Sequence, residues 1–220
     1  MKKIFLLVFL FAFLGLSAFA DYSVISSKSV KHYGLGVLNM KEDFCVYESP
    51  DKNSEIIYRA DGSAKKRTAI LKSTREQKVS YLAYFPSSNA VFLPVDTDEG
   101  NGWYKVYLDQ KTGRTGWVFD EDEDAFFTYK RLFYTYGKKY GIKMFADLPE
   151  NKKVLFSKPE DDSKQLEQLS YPKYVNFNVI AGNWMLVSVV DMSKHAKIGW
   201  FNWRNDDGTL NAFPNFKEQL

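Results

Sequence analysis

Gly102-Trp103-Tyr104-Lys105-Val106, a polar turn at Asp109-Gln110-Lys111-Thr112-Gly113, and Gly116-Trp117-Val118 read as a tight hairpin with a Gly-Trp step in each strand. The pattern returns further on. Gly182-Asn183-Trp184-Met185-Leu186-Val187 leads into a polar turn over 191–197, and Gly199-Trp200-Phe201 follows. The two Trp-to-Trp spacings are 14 and 16 residues. A unit that repeats sets the architecture. What repeats here is an aromatic scaffold, not a set of acids, bases and nucleophiles.

The duplication extends upstream. Tyr33-Gly34-Leu35 matches Tyr140-Gly141-Ile142 at an offset of 107 residues. The segments 46–54 and 154–163 match through Pro50/Pro159 and Ser54/Ser163, both at an offset of 109. Pro50 precedes Trp103 by 53 residues, but Pro159 precedes Trp184 by only 25, so the first copy carries 28 extra residues. This insertion, about 59–90, reads as a polar loop plus an added hairpin around Pro86-Ser87-Ser88-Asn89.

Between frequent turn signals lie runs rich in Val, Ile, Tyr, Phe and Trp: 79–85, 90–95, 103–108, 115–119, 175–180, 184–190 and 198–203. Such residues suit a pleated, half-buried surface. Helical periodicity is poor, and 163–169 is the one stretch read as a helical turn or two. The expected class is all-β. The segment 126–139 is crowded with aromatics (Phe126, Phe127, Tyr129, Phe133, Tyr134, Tyr136) and must bury them, so it joins two packed units rather than acting as a flexible linker.

The first twenty residues read as a cleaved signal. Lys2 and Lys3 precede a 13-residue apolar run over 4–16, and Ala18-Phe19-Ala20 offers small residues at a cleavage site before Asp21. The run is short for a membrane span. The expected chain is therefore exported, periplasmic or extracellular, with no membrane span after cleavage. Without the signal it carries 28 Lys+Arg against 27 Asp+Glu. That balance gives no electrostatic basis for nucleic-acid binding. Cys45 is the only cysteine and cannot form an internal disulfide. Its apolar run reads as a buried strand, with an intermolecular bridge as the sharper alternative.

The repeated arrangement resembles bacterial Src-homology-3-type (SH3-type) domains of exported proteins. That pattern is an early strand, a Pro/Ser turn, Gly-Trp-x-x-Val, a hairpin turn and Gly-Trp-Val. The first copy matches well. In the second, Gly182 lies one residue early and Phe201 stands for the last Val. The resemblance implies two small SH3-like β-barrels packed in tandem. Barrel 1 would span 33–125 with the insertion, 126–139 would be the aromatic connector, and barrel 2 would span 140–210. It also implies a binding role without naming a ligand.

Strand alternation puts Val106 and Val118 inside and leaves Trp103 and Trp117 on the opposite surface. The candidate ligand-binding residues are thus Tyr47, Trp103, Trp117, Phe156, Trp184, Trp200 and Trp203. The alternative is that these rings close the barrels or fill the space between units. No catalytic residue, metal site or cofactor is expected. Asp96 to Asn101 fails the calcium-loop pattern, because positions 6 and 12 would be Asn101 and Tyr107. The acids 120–124 read as a solvated run. His32 and His195 are distant from each other in sequence, and nothing places either beside Cys45. The expected function is a non-enzymatic module that recognises peptidoglycan peptides or an envelope protein through aromatic grooves. The alternative is a structural subunit of an envelope complex whose grooves are filled internally.

Overall fold

The computed structural model describes residues 23–24, 30–41, 43–60, 79, 81–85, 90–145, 147–169, 174–190 and 196–216. The signal segment 1–20, most of the insertion (61–78, 80 and 86–89) and His195 lie outside the described residues.

The first half contributes β1 (Ser23–Val24), β2 (Gly36–Lys41), β3 (Phe44–Tyr47), β4 (Ile56–Ala60), β5 (Ala83–Phe85), β6 (Ala90–Asp98), β7 (Trp103–Asp109), β8 (Arg114–Phe119) and β9 (Phe126–Thr128). A helical passage follows: α1 (Tyr129–Leu132), a π-helical turn (Phe133–Gly137) and α2 (Lys138–Tyr140). The second half holds β10 (Ile142–Met144), β11 (Val154–Phe156), β12 (Gln165–Gln168), β13 (Tyr174–Ala181), β14 (Trp184–Val190), β15 (Ala196–Asn202) and β16 (Ala212–Pro214).

These strands form three sheets. The first has the order β1-β5-β6-β7-β8-β3-β4, with β2 bridging β6 and β9. The second is β10-β16 and the third is β12-β11-β15-β14-β13. The all-β expectation holds, but no closed barrel forms among the described residues. The ladders stay open because β4 and β12 each pair on one side only.

The order β6-β7-β8-β3-β4 recurs as β13-β14-β15-β11-β12. Registers recur too: Val106↔Gly116 and Val187↔Gly199, Tyr47↔Trp117 and Phe156↔Trp200. Bulges fall at the same places, Val46/Tyr47 with Leu155/Phe156 and Val95/Thr97 with Phe177/Val179. The Pro/Ser turn is also duplicated. Ser54 Oγ accepts from Ser49 N (3.2 Å) and donates to Ser49 O (3.2 Å). Ser163 Oγ accepts from Lys158 N (3.3 Å) and donates to Lys158 O (3.1 Å).

Three expectations change. The stretch 163–169 is not helical; Gln165–Gln168 pairs with β11 as an edge strand, where the ladder supplies its backbone partners. Helix appears instead in the aromatic connector. Tyr129, Leu132, Phe133, Tyr136 and Tyr140 recur at helical spacing. Thr128 caps the start, its Oγ1 accepting from Arg131 N at 3.2 Å. Finally, β6 is not half of an added hairpin alone. It pairs with β2, β5 and β7, and it occupies the place that β13 takes in the second half. Pro94, which has no N–H to give, falls where β6 changes partner from β5 to β7.

One hydrophobic core lies within the first half, around Leu38, Val46, Tyr58, Val106 and Val118. The largest core crosses the molecule. It joins Tyr33, Val37 and Phe92 to Phe133, Phe177, Met185, Phe201 and Trp203. Phe216 packs on Phe85 (4.9 Å between centroids) and Phe92 (5.7 Å). Tyr129 Oη donates to Tyr33 O at 2.6 Å, and Arg204 Nη2 donates to Gly34 O at 3.0 Å. The aromatic connector thus binds the halves through burial of its own rings.

Candidate functional site

Alternation along the hairpins sorts the side chains as expected. On β7 and β8, Tyr104, Val106, Leu108 and Val118 are buried, while Lys105, Trp117 and Phe119 stand on the outer face. On β14 and β15, Met185, Val187 and Phe201 are buried, and Leu186 and Trp200 face outward. Gly116 and Gly199 explain why glycine precedes the outer tryptophan. A Cβ on Gly116 would come within 2.5 Å of Val46 Cγ1, and one on Gly199 within 2.9 Å of Leu155 Cβ. Each glycine lets the hairpin approach the β3 or β11 strand beside it.

The outer faces carry matching aromatic groups. In the first, Tyr47 meets Trp103 edge-on (5.5 Å between centroids, 81°) and stands opposite Trp117 in register. In the second, Phe156 meets Trp184 edge-on (5.3 Å, 82°) and stands opposite Trp200. Edge-to-face rings at these distances are mutually attractive. Trp103 and Trp184 are each only 8% exposed, covered by these neighbours. Trp117 and Trp200 are half-buried and carry the accessible indole surface.

Trp203 stands apart from the other expected site residues. It is buried, its Nε1 donates to Gly182 O at 3.1 Å, and its ring packs on Phe133 at 5.1 Å. It belongs to the core between the halves, not to an outer face. Cys45 also differs from expectation. It is half-buried on β3, opposite Arg59, beside a groove rather than inside the core.

The two faces differ chemically. One cross-strand row of the first reads Thr97, Lys105, Trp117, Tyr47. Its equivalent in the second reads Val179, Leu186, Trp200, Phe156, apolar throughout. Lys105 Nζ lies 3.8 Å from Asp96 Oδ2 and 5.9 Å from the Trp117 ring centre. Asp96 also accepts a hydrogen bond from Tyr107, whose phenol is pushed up to about 12 by burial first and by this bond second.

Sequence reading missed Phe119 and Lys52. Phe119 packs on Trp103 at 5.2 Å, and Lys52 Nζ sits 3.6 Å over the Phe119 ring. Phe119 was legible, since it lies two residues after Trp117 on one strand and so shares its face. Lys52 was not, because only the folded turn carries it to that ring. Its position in the second turn is Asp161, and Phe119 is replaced in register by Asn202.

The acidic run 120–124 shapes backbone. Asp120 Oδ1 accepts from Asp122 N, Asp122 Oδ1 accepts from Asp124 N (both 2.9 Å), and Asp124 pairs with Arg131 at 2.6 Å. The His32 ring packs on Tyr107 at a tilt, 5.2 Å between centroids, and Cys45 lies on β3. No helix among the described residues is long and apolar enough to cross a membrane. Comparison with known proteins adds no family: no family model matches this chain, and no curated protein matches it.

Proposed function

We propose that the protein is an exported, non-enzymatic binding module of two SH3-type units, about 33–125 and 140–210, joined by 126–139. It recognises cell-wall peptides or an envelope protein through its aromatic faces. The observation that carries this reading is the repetition of one outer-face trio, Tyr47/Trp103/Trp117 and Phe156/Trp184/Trp200, with matching ring geometry. Within each trio one indole, Trp117 or Trp200, keeps accessible surface, while Trp103 and Trp184 are covered by their neighbours. Two faces in one chain suit a repetitive polymer, because a tethered second site raises avidity without new contacts.

Co-sedimentation with purified cell wall tests this. Trp117→Ala and Trp200→Ala are expected to keep the far-UV circular dichroism of the parent and each to weaken wall binding several-fold. The double variant is expected to lose far more. Trp203→Ala serves as the contrast, expected to cost about 3–5 kcal/mol of stability through its core cavity. If the folded face variants bind wall like the parent, the wall reading fails.

A structural subunit of an envelope complex is the second reading, favoured by the second face. There Ile198 (61% exposed), Leu166 (45%) and Val179 (40%) add to the apolar row. Apolar surface of this kind marks a protein contact. Under this reading Ile198→Asp abolishes cross-linking to envelope proteins and leaves wall binding intact.

A further inference from the structure

Beside the first aromatic face lies an open groove of about 740 Å³, bordered by Lys41, Lys52 and Arg59, with Tyr47 and Phe119 among its walls. A second groove of about 480 Å³ shares Phe119 and Asp120 with it and is bordered by Asp98, Glu121 and Glu123. Phe119 and Asp120 line both grooves, so the two adjoin at this ridge and together make a trough. Its ends carry opposite charge. The first groove has three cations against Asp43 and Asp120. The second has four carboxylates against Arg131, whose guanidinium is already engaged by Asp124 and by Phe126 O (3.0 Å). Tyr104 feels the acidic end: its phenol is pushed up by burial first, then by Asp98 and Asp120.

Lys52 and Glu121 straddle the ridge, their charged atoms 3.7 Å apart, with side chains 57% and 82% exposed. An exposed pair of this kind is worth little, so a ligand can replace it at small cost. The second half has no such trough chemistry, because Asn202 and Asp161 stand where Phe119 and Lys52 do.

We propose that this trough binds a short extended peptide in one polarity. The peptide's carboxylate lies over Lys41 and Arg59, its backbone passes the Phe119 ridge where it displaces the exposed Lys52–Glu121 pair, and its ammonium meets Asp98 and Glu123. Charge complementarity at both ends fixes the direction, and the volumes suit a ligand of a few residues rather than a folded domain. The proposal rests on the binding-module reading above and assigns its first site a ligand class.

Calorimetric titration of the full chain with tetra-alanine tests it, using the peptide with free ends, N-acetylated, C-amidated and doubly capped. The free peptide is expected to bind. Each cap is expected to weaken binding about two- to fivefold, the size of an exposed charge contact. In the Lys41→Ala/Arg59→Ala variant, amidation ceases to matter while acetylation still does. In Glu121→Gln/Glu123→Gln the dependence reverses. Equal binding of free and doubly capped peptide, no binding of the free peptide, or cap effects unchanged in both variants would each overturn the proposal. Failure of the trough is distinguishable from failure of the wall reading. Trp117→Ala losing wall while caps have no effect sinks only the trough. Cap-dependent peptide binding by a protein that ignores wall sinks only the wall.

Discussion

Gly116 shows how much of this fold hangs on one missing methyl. Val46 Cγ1, Ile57 Cδ1 and Leu108 Cδ1 surround its absent Cβ at 2.5, 2.9 and 3.1 Å. Gly199 is held similarly, with Leu155 Cβ at 2.9 Å and Phe156 O at 3.1 Å. Overpacking a filled core costs about 1–3 kcal/mol. Gly116→Ala is expected to destabilise the protein by that amount, measured as a lower urea midpoint with an unchanged slope. An unchanged midpoint would mean that Val46 and Ile57 yield freely and the glycine is not a packing requirement. At this scale the sequence was informative. The inward Val106 and Val118 and the outward Trp117 follow from period-two alternation, whereas Trp103, expected on the same outer surface, is covered by Tyr47 and Phe119. Trp203 was misjudged because alternation says which side a ring takes, not what lies on that side.

At the scale of elements, the Pro/Ser turns are the clearest duplicated feature after the hairpins. One hydroxyl, Ser54 or Ser163, closes each turn by accepting an N–H and donating to a carbonyl five residues back. The turn projects Lys52 onto Phe119 in the first half. Ser54→Ala and Ser163→Ala are each expected to cost about 1 kcal/mol, since the bonds are exposed and water replaces them in part. Only Ser54→Ala is expected to disturb the trough as well, and chemical shifts of Phe119 report it. Equal Phe119 shifts in both variants would show that the turn does not position Lys52. The helix of 129–140 was within reach of the sequence, with apolar residues at helical spacing behind a Thr cap. It was overlooked because aromatic residues favour strands on average. Edge strand β12 was misread for the opposite reason: its short, polar run carries no period strong enough to outweigh its pairing.

Across the whole molecule the two halves share their largest core, and tyrosines line it. Tyr33 and Tyr129 are buried there, and both phenols are pushed up mainly by burial. Tyr58 in the first-half core behaves likewise, and Tyr107 is raised from 10.0 to about 12. The sign follows from linkage. Below pH 10.0 these groups are neutral folded or unfolded, and their contribution is fully present. As pH rises from 10.0 through about 12 for Tyr107, the unfolded chain ionises first and stability falls. The protein is expected to unfold in one alkaline transition above pH 10, with the late tyrosine absorbance change coinciding with loss of circular dichroism. Two separate transitions would show that the halves do not fold as one body.

The sequence by itself determined the β class, the repeated hairpin pattern, and the inner and outer sides that alternation gives the first hairpin. These are local properties: the pleat alternates every residue, and a tight turn fixes which residues stand opposite. Only the tertiary structure decided that the sheets stay open among the described residues, that one core runs through both halves, and that Trp203 lies within it. It alone set the first face, with Lys105 and Lys52, against the apolar second face. It alone joined residues from 41–59 and 98–123 into one trough of opposed charge. Those features depend on which segments far apart in the chain come to pack together, and no period in a linear sequence encodes that choice.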